Sequence, residues 1–131
     1  MLQTVKPSVI FSHFILLFLL AGCGGSGGGG TSSGNTGNST TVGDVTLTWN
    51  APTTYANNST LNPATNLQAY NIYYGTESEV YTKVVSVVNP GTSIINYTLN
   101  LPKGNSYYFV VTDIDTSGNE SGPSNEVIKT P

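Results

Sequence analysis

From residue 44 onward, apolar and polar positions alternate with a period of two. Val45, Leu47 and Trp49 are separated by Thr46 and Thr48, and Tyr70, Ile72 and Tyr74 by Asn71 and Tyr73. Tyr97, Leu99 and Leu101 are separated by Thr98 and Asn100, and Tyr107, Phe109 and Val111 by Tyr108 and Val110. A period of two puts each apolar set on one face of a pleated strand. Turn-forming residues punctuate the runs about every dozen positions, and no stretch repeats convincingly at helical spacing. The pattern predicts an all-β domain built as two packed antiparallel sheets.

Upstream the pattern is different. Val9 to Leu20 is apolar apart from Ser12 and His13, and follows Lys6 and Pro7. As a helix it covers about 18 Å, against a hydrocarbon core of about 30 Å. A short apolar run behind a small positive segment reads as a targeting signal rather than as a membrane span. Residues 24 to 43 are almost wholly Gly, Ser, Thr and Asn. Such a composition buries too little apolar surface to offset the entropy of ordering, so it predicts a flexible tether with a reach of about 25 Å.

Between the two lies the string Leu20-Ala21-Gly22-Cys23, which contains the only cysteine of the chain. The string resembles the lipobox of bacterial lipoproteins. The resemblance implies cleavage between Gly22 and Cys23, a diacylglyceryl group on the Cys23 sulfur and attachment to a bacterial envelope membrane. Two acyl chains anchor stably, at about 0.8 kcal/mol per buried methylene. Gly24 stands where an inner-membrane retention signal of enteric bacteria would place Asp, which points to the outer membrane. The chain then divides into a signal peptide (1–22), a lipidated cysteine with a flexible linker (23–43) and a folded domain (44–131).

Processing at Cys23 would remove His13 and Lys6 and convert the sole thiol to a thioether. With no arginine in the sequence, three lysines would oppose seven acids, taking the formal charge from −3 to −4. Nucleic acid is excluded as a partner, because phosphate contacts need clustered positive charge. Nucleophilic catalysis needs a base beside the nucleophile, and the processed chain has no histidine. Glu77 and Glu79 read as solvated loop charges. Asp113-Ile-Asp115-Thr-Ser117-Gly118 mimics half of a calcium loop, but its twelfth position is Ser124 rather than a bidentate Glu, so it reads as a hairpin turn. No enzyme activity, cofactor or metal is expected.

Taken together, Val45 to Pro52, Ala69 to Gly75, Leu101 to Val111, Asp115 to Ser121 and Ser124 to Val127 resemble bacterial fibronectin type III domains. The family pattern implies an immunoglobulin-like antiparallel sandwich. It makes Trp49 the core tryptophan of strand B, packed by Tyr70 and Ile72 of strand C. Leu101, following Leu99, would close strand E. Tyr107 would be the tyrosine corner of strand F, its hydroxyl bonded back to the turn between E and F, with Phe109 and Val111 continuing inward. Strand C′ would fall within Val80 to Val88 and strand G within Glu126 to Thr130. Strand A is expected to be very short or missing. Asp113 continues the inward parity, and because a buried lone carboxylate is costly, strand F is expected to end there with Asp113 near the rim.

The chain has eight tyrosines, more than such a core needs. Alternation turns Tyr73 and Tyr108 outward on neighbouring strands, where they are expected to form a cross-strand pair with Tyr81 nearby. Aromatic faces of this kind dock sugar rings and partner proteins. The expected function is that of an envelope lipoprotein whose domain makes protein or polysaccharide contacts as an adaptor or adhesin. The alternatives are a carbohydrate-binding module using Tyr73 and Tyr108, and a structural spacer or coat without a specific ligand. The expected partners are the membrane, through the lipid, and a protein or polysaccharide.

Overall fold

A computed structural model describes residues 41–131. Cys23, the signal segment and most of the expected tether lie outside the described residues. Six strands and one helical turn follow in the order β1 (Val42–Asn50), α1 (Pro63–Asn66), β2 (Leu67–Gly75), β3 (Lys83–Val88), β4 (Ile94–Pro102), β5 (Tyr107–Asp115) and β6 (Val127–Lys129). β1 pairs with β4 in a two-stranded sheet, and the second sheet has the order β3-β2-β5-β6. All the pairings are antiparallel. Among the described residues no strand precedes β1.

β1 opens two residues before the expected domain boundary. Val42 and Gly43 sit opposite Pro102 and Leu101, and the Lys103 N–H donates to the Thr41 carbonyl at 2.8 Å. The ladder therefore reaches into the polar tract, where Val42 is the only larger apolar side chain and is itself exposed. Across this sheet the outward residues pair in register. Thr46 meets Thr98 (2.8 Å), Thr48 donates to Asn96 (2.7 Å), and Asn100 donates to Asp44 (2.7 Å).

The inward residues of both sheets form the core. Trp49, Tyr70, Ile72, Phe109 and Val111 are fully buried, and Leu99, Leu101 and Tyr107 are buried with them. The Trp49 and Tyr70 rings meet edge to face, with centroids 5.5 Å apart, the geometry that ring quadrupoles favour. The Tyr107 hydroxyl donates to the Pro102 carbonyl at 3.1 Å. That bond ties the first residue of β5 to the last of β4 across their connection.

Periodicity does not announce the helical turn. Asn62 caps it by accepting from the Ala64 N–H (3.1 Å), Asn66 accepts from the Asn62 N–H (2.8 Å), and Pro63 takes the first helical position. The signal in the sequence is therefore the Asn62-Pro63 pair, a cap followed by a residue already fixed for helix.

Strand β5 departs from expectation. It does not end at Asp113 but runs to Asp115, and Asp113 is fully buried rather than at the rim. The backbone explains the continuation. Asp113 lies opposite Tyr70 on one side, while on the other its N–H donates to the Ser121 hydroxyl and its carbonyl accepts from the Ser121 N–H, both at 2.9 Å. These ladder bonds hold the strand in place and carry the carboxylate inward with it.

Candidate functional site

The outward face of the four-stranded sheet gathers the tyrosines singled out by the sequence. Register places Tyr73 opposite Val84 and Val110, and Tyr108 opposite Gly75 and Ile128. Tyr73 and Tyr108 are thus diagonal neighbours rather than a directly opposed pair. No ring contact joins them among the described residues. Each is half-buried, and exposed Val84 and Ile128 flank them.

Two glutamates that the alternation pattern does not reveal organise this face. Glu120 Oε1 accepts from the Tyr73 hydroxyl (2.8 Å), Asn71 Nδ2 (3.0 Å) and the Thr112 hydroxyl (2.6 Å). Partial burial pushes its carboxyl up, but the bonds from Thr112, Asn71 and Tyr73 outweigh this and hold it below the usual range. Burial first, and then the bond to Glu120, raises the Tyr73 hydroxyl. The hydroxyl therefore stays a donor at all ordinary pH values.

Glu126 does the same at the end of β2. It accepts from the Tyr81 hydroxyl (2.6 Å), the Ser78 hydroxyl (2.7 Å) and the Glu79 N–H (2.9 Å). The Tyr81 bond leads in lowering its carboxyl, while burial and then Glu126 push Tyr81 up to about 12. Residues 76–82 are thereby folded back onto the outward face. Gly75 permits this, since a Cβ there would collide with the Val80 carbonyl. Glu79 takes a left-handed φ of 62°, which costs a non-glycine residue energy and is held by the Glu126 bond. Tyr81, expected on strand C′, lies instead on the loop just before β3, where the Glu126 carboxylate holds its hydroxyl.

Asp115 accepts from the N–H groups of Ser117 and Asn119 and from Asn119 Nδ2, all at 2.8 Å, so its oxygens cap a turn. Partial burial pushes the Asp115 carboxyl up, but those bonds win and leave it below its ordinary value. Among the described residues no cluster of three or more His, Cys, Asp or Glu has a metal-binding arrangement. Glu77 and Glu79 are both exposed on the 76–82 loop.

A sheet order of β3-β2-β5-β6 packed on β1-β4, closed by a tyrosine corner, defines the class. It is an antiparallel β-sandwich, with its strands in the order that the resemblance to fibronectin type III domains implies for B, C, C′, E, F and G. A solved structure described as a myokine structure aligns at 18% identity over 66% of this chain and 82% of its own, with a TM-score of 0.42. No family model matches the chain, and no curated protein does.

Proposed function

We propose that the protein is a bacterial envelope lipoprotein, anchored through acylated Cys23 and displaying the sandwich on a flexible spacer, with the outward face of the four-stranded sheet making contact with a protein or polysaccharide. The Leu20 to Cys23 string supports the anchor, and Gly24 supports placement in the outer membrane. The spacer composition supports display away from the head groups. No catalytic role is assigned.

The observation that carries the contact reading is the composition of that face. Half-buried rings at Tyr73 and Tyr108 lie beside Glu120, whose Oε1 takes three donors. Glu120 is itself exposed, so its carboxylate lies within reach of a ligand hydroxyl or amide. Ring, carboxylate and amide together suit hydroxyl-rich or amide-rich partners.

Replacing Tyr73 and Tyr108 with Thr tests the reading. Binding to cells, matrix or a purified glycan should fall by at least tenfold, since interface aromatics commonly contribute about 2 kcal/mol or more. Stability should fall by only about 1 kcal/mol, the value of one lost hydroxyl bond, because Thr suits an exposed strand. Unchanged binding would favour the spacer reading, which draws on the engagement of the Tyr73 and Tyr81 hydroxyls within the domain.

A further inference from the structure

Strand β3 forms one edge of the four-stranded sheet, and its sequence reads the same in both directions about Ser86: Val84-Val85-Ser86-Val87-Val88. None of the other edge strands β1, β4 and β6 has such a symmetric run of five residues. The usual devices that blunt an edge are absent from β3, which has no proline or bulge and carries its one charge, Lys83, at the first position. Val84 and Val88 are 55% and 82% exposed, so the strand leaves two of its four valine side chains in water.

The backbone agrees with the side chains. The Asn89 N–H donates to the Gln68 carbonyl at 3.0 Å. Antiparallel ladders alternate, so the polar groups of Val87, Val85 and Lys83 also face β2. Those of Val84, Ser86 and Val88 then point at the open edge. Two copies of β3 related by a two-fold axis through Ser86 would place Ser86 opposite Ser86 and Val84 opposite Val88. In that register the residues with outward backbone groups are the ones that meet, satisfying about six orphaned bonds. Shifting the axis to Val85 or Val87 would instead oppose valine to serine.

On the inner side, the same register sets Val85 beside Val87 of the second copy. Val85 lines a groove of about 250 Å³ with Tyr74, Tyr97, Leu99 and Leu101, open where β3 and β4 face one another. The second copy's valines would continue the core across the mouth of that groove.

We propose that β3 is the pairing edge of a two-fold homodimer in which the four-stranded sheets of two copies join into one continuous sheet. The occupant is a second copy because the strand is complementary to itself, residue for residue, and a closed two-fold contact consumes the edge completely. The dimer also merges the two outward tyrosine faces, doubling their valency toward any repeating partner. It needs neither the lipid nor a ligand.

The test is oxidative cross-linking of the full chain in the cells that express it. Ser86→Cys places thiols on the axis, with Cα atoms about 5.5 Å apart, inside the disulfide window of ~4.4 to 6.8 Å. Mild oxidation should convert most of this variant to a covalent dimer. The wild type, which reports any reaction of Cys23, and Thr98→Cys on the opposite sheet should stay monomeric. Val84→Cys and Val88→Cys expressed together should cross-link several times more than either alone. Cross-linking of Ser86→Cys no stronger than that of the wild type and Thr98→Cys would overturn the dimer. A mixed pair no better than its members would overturn the register and the symmetry argument with it.

Discussion

Asp113 is where the chain departs most from what the physics of a sandwich favours. Its side chain is fully buried, and neither carboxylate oxygen has a hydrogen-bond partner among the described residues. Burial raises it to about 6, reinforced by the charges of Asp115 and Glu120, while the Ser121 hydroxyl spends its proton on the Gly122 carbonyl. Tyr70 faces it from β2 and is itself raised, first by burial and then by Asp113. The folded state thus holds the Asp113 proton more tightly than the unfolded chain. The stability this contributes is full below the unfolded value of 3.8 and is lost as pH rises through about 6. Asp115 and Glu120 act in the opposite sense, since their lowered carboxyls contribute stability that is lost as the solution becomes strongly acid. The domain should therefore be most stable between about pH 4 and 6. Asp113→Asn should raise stability by about 1 to 3 kcal/mol at pH 7.5 and leave it nearly unchanged at pH 4. Urea melts at the two pH values check this, and a stabilisation equal at both would refute the buried-charge account.

The core residues around it behave more conventionally. Trp49 is fully buried and packs on Tyr70, so Trp49→Ala should cost about 3 to 5 kcal/mol. Tyr107→Phe removes only the bond to Pro102 and should cost about 1 to 3 kcal/mol. Calorimetric melts of both variants, ranked in that order, are the expected outcome. These positions are legible in sequence because parity within a strand is local. A residue two places from an inward tryptophan also points inward. Asp113 was legible in parity but not in depth, because the bonds that prolong β5 come from Ser121 in another segment.

At the level of elements, the alternation locates the strands well and their partners poorly. Nothing in the 3.3 Å rise of a strand states its register against a neighbour. The diagonal placing of Tyr73 and Tyr108 therefore emerges only from pairing. The 76–82 loop is the clearest case, since its clamp residue Glu126 lies 45 to 48 positions away. Glu126→Ala should free this loop, with amide exchange at residues 76 to 82 rising at least tenfold and the melting midpoint little changed. Gly75→Ala should release the same loop by steric collision with the Val80 carbonyl even with Glu126 intact. Hydrogen exchange resolved by residue distinguishes the two, and an unaltered loop in both variants would mean that other contacts hold it.

For the whole molecule, the sandwich and the anchor rest on different parts of the chain and fail independently. The sandwich follows from period-two patterning over residues 44 to 131 and is described by the structure. The anchor follows from four residues, Leu20 to Cys23, read through a family resemblance. These residues lie outside the described ones, and acylation is written in a recognition string rather than in a fold. Metabolic labelling of growing cells with an alkyne palmitate, comparing the wild type with Cys23→Ser, tests the account at its centre. The wild type is expected to take up the label and partition into detergent, while Cys23→Ser takes up none and accumulates as an uncleaved or mislocalised precursor. Equal labelling and detergent partitioning of the two chains would contradict it.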